Sequence, residues 1–450
     1  MYTQLAQKIE DKSAKIGVIG LGYVGLPLAT GMAKCGYTVV GVDANLLKVN
    51  ALNSGSSYIP DVPSADVAFL VEKKALNATT DYYSLKEVDA IFICVPTPFD
   101  SMKSPDLAYV RQAATGIAGC LRAGQLVILQ STTYPGTTEE VVQPILEGSG
   151  LVAGQDFFLA FSPERIDPGR SDFTVENTPK VVGGINGESA NLAAMLLAHL
   201  TPQVHIVSSP RAAEMTKLLE NIFRSVNIAL VNELAILSER MDIDFWEVIE
   251  AAKTKPFGFM PFYPGAGVGG HCIPVDPYYL SWKAREYDFY TRFIELAAEV
   301  NGDMPYHTVD IVRRGLNRYG KNLREAKILV LGVAFKPNID DARNSPAERV
   351  MELLLKEGAH VVYHDPYVPH FEVGGNVVLK NKVRFESIEL NTLALADADC
   401  IVIVTGHQKV DYQWVVQQSR LVIDTVNVTR SVAGQQEKVL RLGAPLSAVN

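Results

Sequence analysis

The chain runs to 450 residues, 48% hydrophobic and 20% charged, a globular composition too long for one core. Lys and Arg total 41 against 50 Asp and Glu, a formal charge of −9 that argues against nucleic acid or an anionic membrane as main partner. No apolar run approaches the ~18 residues a membrane-spanning helix needs.

The N-terminal stretch MYTQLAQKIEDKSAK is polar and mixed in charge, without the apolar centre of a signal peptide, so the expected compartment is the cytoplasm. Next, KIGVIGLGYVGLPLATGMAKCGYTVVGVD (15–43) reads as strand, glycine turn, helix and strand. The apolar run ends at Gly20, Gly22 and Gly25 complete G-x-G-x-x-G, and Asp43 closes the second strand. Each has a task in holding a dinucleotide. Gly20 permits the tight turn, Gly22 lets a pyrophosphate approach the backbone, and Gly25 lets helix and strand pack closely. The helix N-terminus then faces the phosphates. Asp43 accepts hydrogen bonds from an adenosine ribose, which favours NAD over NADP.

Two more strands, VDAIFICVPTP (88–98) and LVILQSTTYPGTT (126–138), are predicted to open onto the cofactor crevice, because ligands gather at the carboxyl ends of parallel strands. FFLAFSPERIDPG (157–169) sets Glu164 just past a third. For Thr97 and Thr132 ordinary turn chemistry is an equal alternative. From Ala212 the texture changes. Residues 212–241 hold no proline or glycine, and their apolar residues recur at three- and four-residue spacing. That predicts a long helix crossing between domains or packing on a partner subunit. Lys217, Asn221 and Arg224 share one face, for which a solvated stripe is the plainer reading.

PGAGVGGHCIPVDP (264–277) puts Cys272 on a glycine loop, with His271 before it and Asp276 after. The other cysteines, 35, 94, 120 and 400, lie in apolar helix or strand contexts and read as small core residues. With no CxxC pair, neither a disulfide framework nor a metal site is expected. The last third loosely repeats the first: KILVLGVAF (327–335), AHVVYHDP (359–366), ADCIVIVTG (398–406) and LVIDTVN (421–427) read as a second set of strands. Its first turn has lost the glycine fingerprint, so a second dinucleotide is not expected there. Lys336 and Arg343 suit a different phosphorylated ligand. The stretch 300–325 reads as a connector.

The fold class is α/β, with two Rossmann-like doubly wound domains (1–208 and 319–450) joined by a central helical domain (209–318) carrying the long helix. A thiol between two such domains suggests oxidation with a covalent stage. Hydride loss turns an alcohol into an aldehyde, thiolate addition gives a thiohemiacetal, and a second hydride loss gives a thioester that water cleaves to an acid. The thiolate needs cationic or donor neighbours, which Lys217 and Asn221 supply while also holding a developing oxyanion. Asp276 and Glu164 are carboxylates available for the hydrolytic water. Glycines 265, 267, 269 and 270 let the loop backbone lie along a sugar. His271 is open to two readings, a titrating base or a packing residue.

In these motifs, with SPERIDPG, EMTKLLENIFRSVNIALVNE and GVAFKPNIDDARNSP, the chain resembles the UDP-glucose/UDP-N-acetylhexosamine 6-dehydrogenase family. KPFGFMPFYPGAGVGGHCIPVDPYYLSWKARE looks most like the branch acting on UDP-N-acetyl-D-glucosamine, which serves synthesis of bacterial surface polysaccharide. The resemblance implies Cys272 as nucleophile, Lys217 and Asn221 at the reacting oxygen, Asp276 and Glu164 in proton transfer and water placement, and Thr132 helping to hold the water. It implies NAD contacts from Gly22, Tyr23, Val24, Asp43, Lys48, Thr97, Thr132 and Arg343. The sugar nucleotide would lie against Glu164, Lys217, Asn221, the stretch Tyr263, Gly265, Gly267 and Gly269, and Lys336 of the C-terminal UDP-sugar-binding domain. A homodimer or larger assembly around the central helix is implied. One departure concerns an arginine that many relatives carry before the cysteine and contribute across the dimer. Here the place reads Lys255-Pro256-Phe257, and no arginine occurs between 241 and 280. UDP-N-acetylmannosamine or UDP-glucose oxidation by the same chemistry, a two-electron hydroxyacid dehydrogenase with a passive thiol, and an NAD-sensing binding protein stand as alternatives.

Overall fold

The computed structural model describes residues 1–100, 104–166, 174–271, 273–434 and 436–446. The chain packs as two compact units, Met1–Glu220 with Tyr278–Phe289, and Asn221–Pro277 with Tyr290–Asn450. Of the expected central helical domain, 221–277 and 290–318 share a unit with the C-terminal sheet, while 209–220 and 278–289 fall in the first.

The first unit is built on eight strands: β1 (Lys15–Ile19), β2 (Thr38–Val42), β3 (Leu76–Thr79), β4 (Ala90–Ile93), β5 (Leu126–Leu129), β6 (Phe158–Phe161), β7 (Lys180–Gly184) and β8 (Val204–Val207). They lie in the order β3-β2-β1-β4-β5-β6-β7-β8, every pair parallel except β6 with β7. Every residue of β4, β5 and β6 is buried. That is why these strands read as unbroken apolar runs rather than alternating ones: both faces are covered. Ile16, Val18, Phe92 and Ile128 have no exposure and meet Leu26, Leu28 and Met32 of the helix Gly25–Lys34 in one core. Each such side chain contributes roughly 1.5–3 kcal/mol on burial. Strand order reverses between β1 and β4, the place where an open sheet of this kind gathers its ligand. Residues 278–289 join this unit because Trp282 packs on Tyr134 at 5.1 Å and Lys283 pairs with Glu140 at 2.7 Å.

The helix Pro210–Arg240 starts on a Ser-Pro signal, with Ser209 Oγ accepting the Ala212 amide at 3.2 Å and Pro210 in the first turn. It stops where Asp242 turns left-handed (φ 54°) and Ile243 N–H reaches back to the Ser238 carbonyl. In the second unit β9 (Lys327–Leu331), β10 (His360–His364), β13 (Cys400–Ile403), β14 (Val422–Asp424) and β15 (Val439–Arg441) form an all-parallel sheet ordered β10-β9-β13-β14-β15. Between them, β11 (His370–Val373) and β12 (Val383–Glu386) pair as an antiparallel ribbon.

The expected connector at 300–325 is mostly something else, the 27-residue helix Arg292–Arg318. Asn301-Gly302-Asp303-Met304-Pro305 reads as breakers, yet the helix passes through it. Pro305 removes only the bond to the Asn301 carbonyl, and burial of Met304, Pro305, Val309 and Val312 outweighs that loss. Tertiary packing overrode a local signal.

Candidate active site

The glycine turn after β1 has the three features a dinucleotide needs. Gly20 sits at φ 87°, and a Cβ there would lie 2.6 Å from the Cys94 carbonyl oxygen. A Cβ on Gly25 would lie 1.8 Å from the Gly20 carbonyl oxygen, so helix and strand meet only because it is glycine. Around Gly22 nothing comes within 4 Å, which leaves the backbone open to an incoming phosphate. Tyr23 is 38% exposed and Val24 caps the helix that starts at Gly25. Asp43 Oδ2 accepts the Leu21 amide at 2.8 Å and Oδ1 the Asn45 amide at 2.8 Å, with Lys48 Nζ at 3.7 Å.

The ends of β4 and β5 are tied together. Thr97 Oγ1 donates to the Thr132 carbonyl at 2.8 Å, and the Tyr279 hydroxyl donates to the Thr97 carbonyl. Further along that loop Gly136 takes φ 102°. Its amide and the amide and hydroxyl of Thr138 all donate to Glu214, at 2.6, 2.9 and 2.7 Å. Glu214 is fully buried, and burial pushes its pKa up to about 6 against the pull of those bonds, with the charge of Glu139 adding to the rise.

Glu164 stands just beyond β6. Burial opposes its ionisation, but the charge and hydrogen bond of Lys180 and the amides of Ile166 and Arg165 outweigh it and hold the carboxyl below its usual range. Lys180 Nζ lies 2.7 Å and Gln130 Nε2 3.0 Å from Oε2, while the two amides donate to Oε1 at 2.8 and 3.0 Å. Sequence reasoning missed Lys180. A lysine heading the apolar run KVVGG is the signal, since a buried charge requires a partner.

The face of Lys217 and Asn221 is not a solvated stripe: they are 6% and 4% exposed. Lys217 belongs to the first unit, and Asn221 to the second. There Asn221 Nδ2 donates to Asp276 Oδ2 at 2.5 Å, joining two expected site residues 55 positions apart. Cys272 lies outside the described residues. Its loop is held on both sides. Gly265 N–H donates to Asn232 Oδ1 at 3.0 Å, Asn232 Nδ2 donates to Asn301 Oδ1 at 2.9 Å, and Asn301 Nδ2 donates to the Ser225 carbonyl at 3.1 Å. Gly267 has φ 134°, and a Cβ on Gly269 would press within 3.0 Å of Phe335 and the Asn344 carbonyl oxygen. Tyr263 stacks on Trp246 at 5.9 Å and donates to Glu250 at 2.9 Å. His271 packs edge-on against Phe335, its Nε2 3.0 Å from Asp341 Oδ2.

Arg343 Nε and Nη2 grip Asp341, the latter at 2.7 Å. Although burial disfavours its charge, Asp341 is held well below the usual carboxylate range by hydrogen bonds from His271 and Arg343. Lys336 is half-buried on the turn after β9. Lys255 Nζ lies 5.0 Å over the ring of Phe257. The structure thus gathers the expected dinucleotide residues other than Arg343 with Glu164 and Lys217 in the first unit. Asn221, Asp276, Tyr263, Gly265, Gly267, Gly269, Lys336 and Arg343 fall in the second. Cys35, Cys94, Cys120 and Cys400 are free thiols that burial pushes up, hence poor nucleophiles. Among the described residues no group of His, Cys, Asp or Glu is placed to hold a metal ion, and no helix is long and apolar enough to cross a membrane.

A dinucleotide turn at the switch point of a doubly wound sheet, with a second such sheet after a helical region, defines an NAD-dependent dehydrogenase. The chain belongs to the UDP-glucose/GDP-mannose dehydrogenase family. Residues 14–201 match its NAD binding domain, 211–303 its central domain and 329–431 its UDP binding domain. A UDP-N-acetyl-D-glucosamine 6-dehydrogenase of Pseudomonas aeruginosa is 40% identical over 359 residues, 79% of this chain and 84% of its own. A UDP-N-acetyl-D-mannosamine dehydrogenase of Pyrococcus horikoshii is 36% identical over 423 residues, 92% and 96% of the two chains. A solved structure of UDP-D-ManNAc dehydrogenase from Pyrococcus horikoshii superposes with a TM-score of 0.85 at 33% identity, covering 95% of this chain and 99% of its own. This chain is an NAD-dependent UDP-sugar dehydrogenase.

Proposed function

We propose that the chain oxidises C6 of UDP-N-acetyl-D-glucosamine to the carboxylate through a covalent stage on Cys272. One C6 alcohol, two NAD⁺ and one water become one carboxylate, two NADH and three protons. Bound NAD accepts the hydride in each oxidation. The observation that carries the reading is the buried Asn221–Asp276 bond at 2.5 Å, because it ties the helix face that would hold the reacting oxygen to the carboxylate four residues beyond the thiol. Lys217, one turn before Asn221, supplies positive charge for the thiolate and for each oxyanion. Asp276 is the carboxylate that takes protons. Glu164 is a poor base, since four donors fill its lone pairs and its carboxyl is held ionised. Its place is to orient water or sugar together with Thr132.

Gly22, Tyr23, Val24, Asp43, Lys48, Thr97 and Arg343 would hold the dinucleotide. Tyr263, Gly265, Gly267, Gly269 and Lys336 would hold the sugar nucleotide. The choice of N-acetylglucosamine rests on the 40% identical relative of that name and on Lys255 standing where an arginine fork would otherwise read the sugar. A panel of UDP-sugars tests it. UDP-N-acetyl-D-glucosamine should give the highest kcat/KM by at least about tenfold, and a higher value for UDP-N-acetyl-D-mannosamine or UDP-glucose would reassign the substrate.

The same reading extends to assembly. Met215, Leu219, Phe223, Leu230 and Leu237 are 41–59% exposed along one stripe of the helix Pro210–Arg240, as the expected homodimer requires. Light scattering at micromolar concentration should report twice the chain mass or more, whereas a monomer would remove the dimer.

A further inference from the structure

We infer that His407 is a positioning residue, fixing the backbone on both sides of Lys336 so that its ammonium stands ready for the diphosphate of the sugar nucleotide. This rests on the reading of Lys336 as a substrate contact. The turn Gly332–Asn338 belongs to no strand or helix, and it contains two left-handed residues, Gly332 (φ 81°) and Asn338 (φ 64°). Something must hold it.

The Thr405 hydroxyl donates to the Ala334 carbonyl and the Gln408 amide to Asn338 Oδ1, and three further bonds converge on one buried pair. Val333 and Ala334, just before Lys336, donate their amides to Asp365 Oδ2 at 2.8 and 3.0 Å. Asn338, just after it, donates its amide to His407 Nδ1 at 3.0 Å. Because Nδ1 accepts, the proton is on Nε2, which donates to the same Asp365 oxygen at 2.9 Å. His407 is 1% exposed and the Asp365 side chain 0%. Tyr367 packs on the imidazole at 5.1 Å, with Lys409 Nζ 4.2 Å over the tyrosine ring. Lys336 is therefore bracketed by two anchor points that end on one histidine–aspartate pair. Losing the imidazole leaves a partly buried amide unbonded and a buried carboxylate short of a donor, and the turn must shift. A lysine binds phosphate as a point charge, so a displaced stem weakens binding of the nucleotide without touching the chemistry at C6.

His407→Phe keeps the ring volume and removes both nitrogens. The expected result is an approximately tenfold rise in KM for the UDP-sugar and in Kd for UDP by calorimetry, with kcat and KM for NAD within about twofold. His407→Gln, which offers one acceptor and one donor at similar reach, should restore most of the loss. Lys336→Met should raise the same KM, and adding His407→Phe to it should cost less than about twofold more, because both act through one contact. If Lys336→Met raises KM while His407→Phe does not, or if the two effects multiply, or if Gln fails to restore, the positioning role is overturned. If Lys336→Met leaves KM unchanged, the substrate reading of Lys336 has failed, and the role built on it falls too. Should His407→Phe not fold, Thr405→Val removes the 2.6 Å bond from Oγ1 to the Ala334 carbonyl in the same turn. A rise of about threefold in the UDP-sugar KM alone supports the proposal, and no rise overturns it.

Discussion

The turns after β1 and β9 begin alike. Gly20 and Gly332 take φ 87° and 81°, each bonds its amide back to the end of the neighbouring strand, and each lies against a carbonyl just past the strand on the other side, Cys94 or Thr405. Asp43 and Asp365 then both accept the amide of the next residue, Leu21 or Val333, at 2.8 Å. From there they part. Asp43 is bonded by two backbone amides and keeps 11% of its side chain exposed, room for ribose hydroxyls. Asp365 accepts five donors, from Val333, Ala334, Tyr367, Val368 and His407, and is sealed. Where Gly25 starts a helix five residues after Gly20, the second turn has Pro337, and its helix waits until Pro346. One geometry has been kept open for a dinucleotide, and the other filled from within to carry a lysine.

The largest expected effect breaks the first turn. Gly25→Val should cost more than about 3 kcal/mol, since its Cβ would sit 1.8 Å from a backbone oxygen, and should abolish NAD binding. Gly22→Ala, with nothing within 4 Å, should leave stability within about 0.5 kcal/mol yet raise KM for NAD about tenfold. Denaturant unfolding and NAD titration on both variants check this, and equal losses of stability would erase the distinction.

Next come the two acids. Asp365→Asn should cost about 2–4 kcal/mol without changing NAD affinity, because five buried donors lose a charged acceptor. Asp43→Asn should cost about 1 kcal/mol while weakening NAD about tenfold. Thermal unfolding with and without NAD separates them.

A pH-dependent effect sharpens a contrast inside the first unit. Glu164 is held below its ordinary range, so its stabilisation is complete above the unfolded value of 4.5 and lost as pH falls. Glu214 is raised from 4.5 to about 6, so what it contributes is complete below 4.5 and lost as pH rises through 6. Relative to Glu214→Gln, the wild type should lose about 2 kcal/mol between pH 4.5 and 7. A difference that does not vary with pH would contradict the assignment.

Much of this was legible beforehand for a physical reason. Glycines at 20, 22 and 25 answer steric demands no other residue meets, and fully buried parallel strands must be apolar, so both sheets could be read from runs such as VILQ and CIVIV. The pairings around the site were not legible. Lys180 with Glu164, Asn232 with Asn301, and His407 with Asp365 are side chains far apart in sequence whose meaning is the partner. The antiparallel β7 and the helix through Pro305 were missed because packing, not local preference, decides them. The grip of Arg343 on Asp341, two residues away, was likewise not legible.

Counting NADH formed per UDP-N-acetyl-D-glucosamine consumed to completion tests the central chemistry most directly. The account predicts two, with an acyl adduct on Cys272 trapped by rapid quenching and an approximately thousandfold or greater fall in acid formation for Cys272→Ser. One NADH per sugar, an aldehyde as end product, and full activity in the serine variant would contradict it.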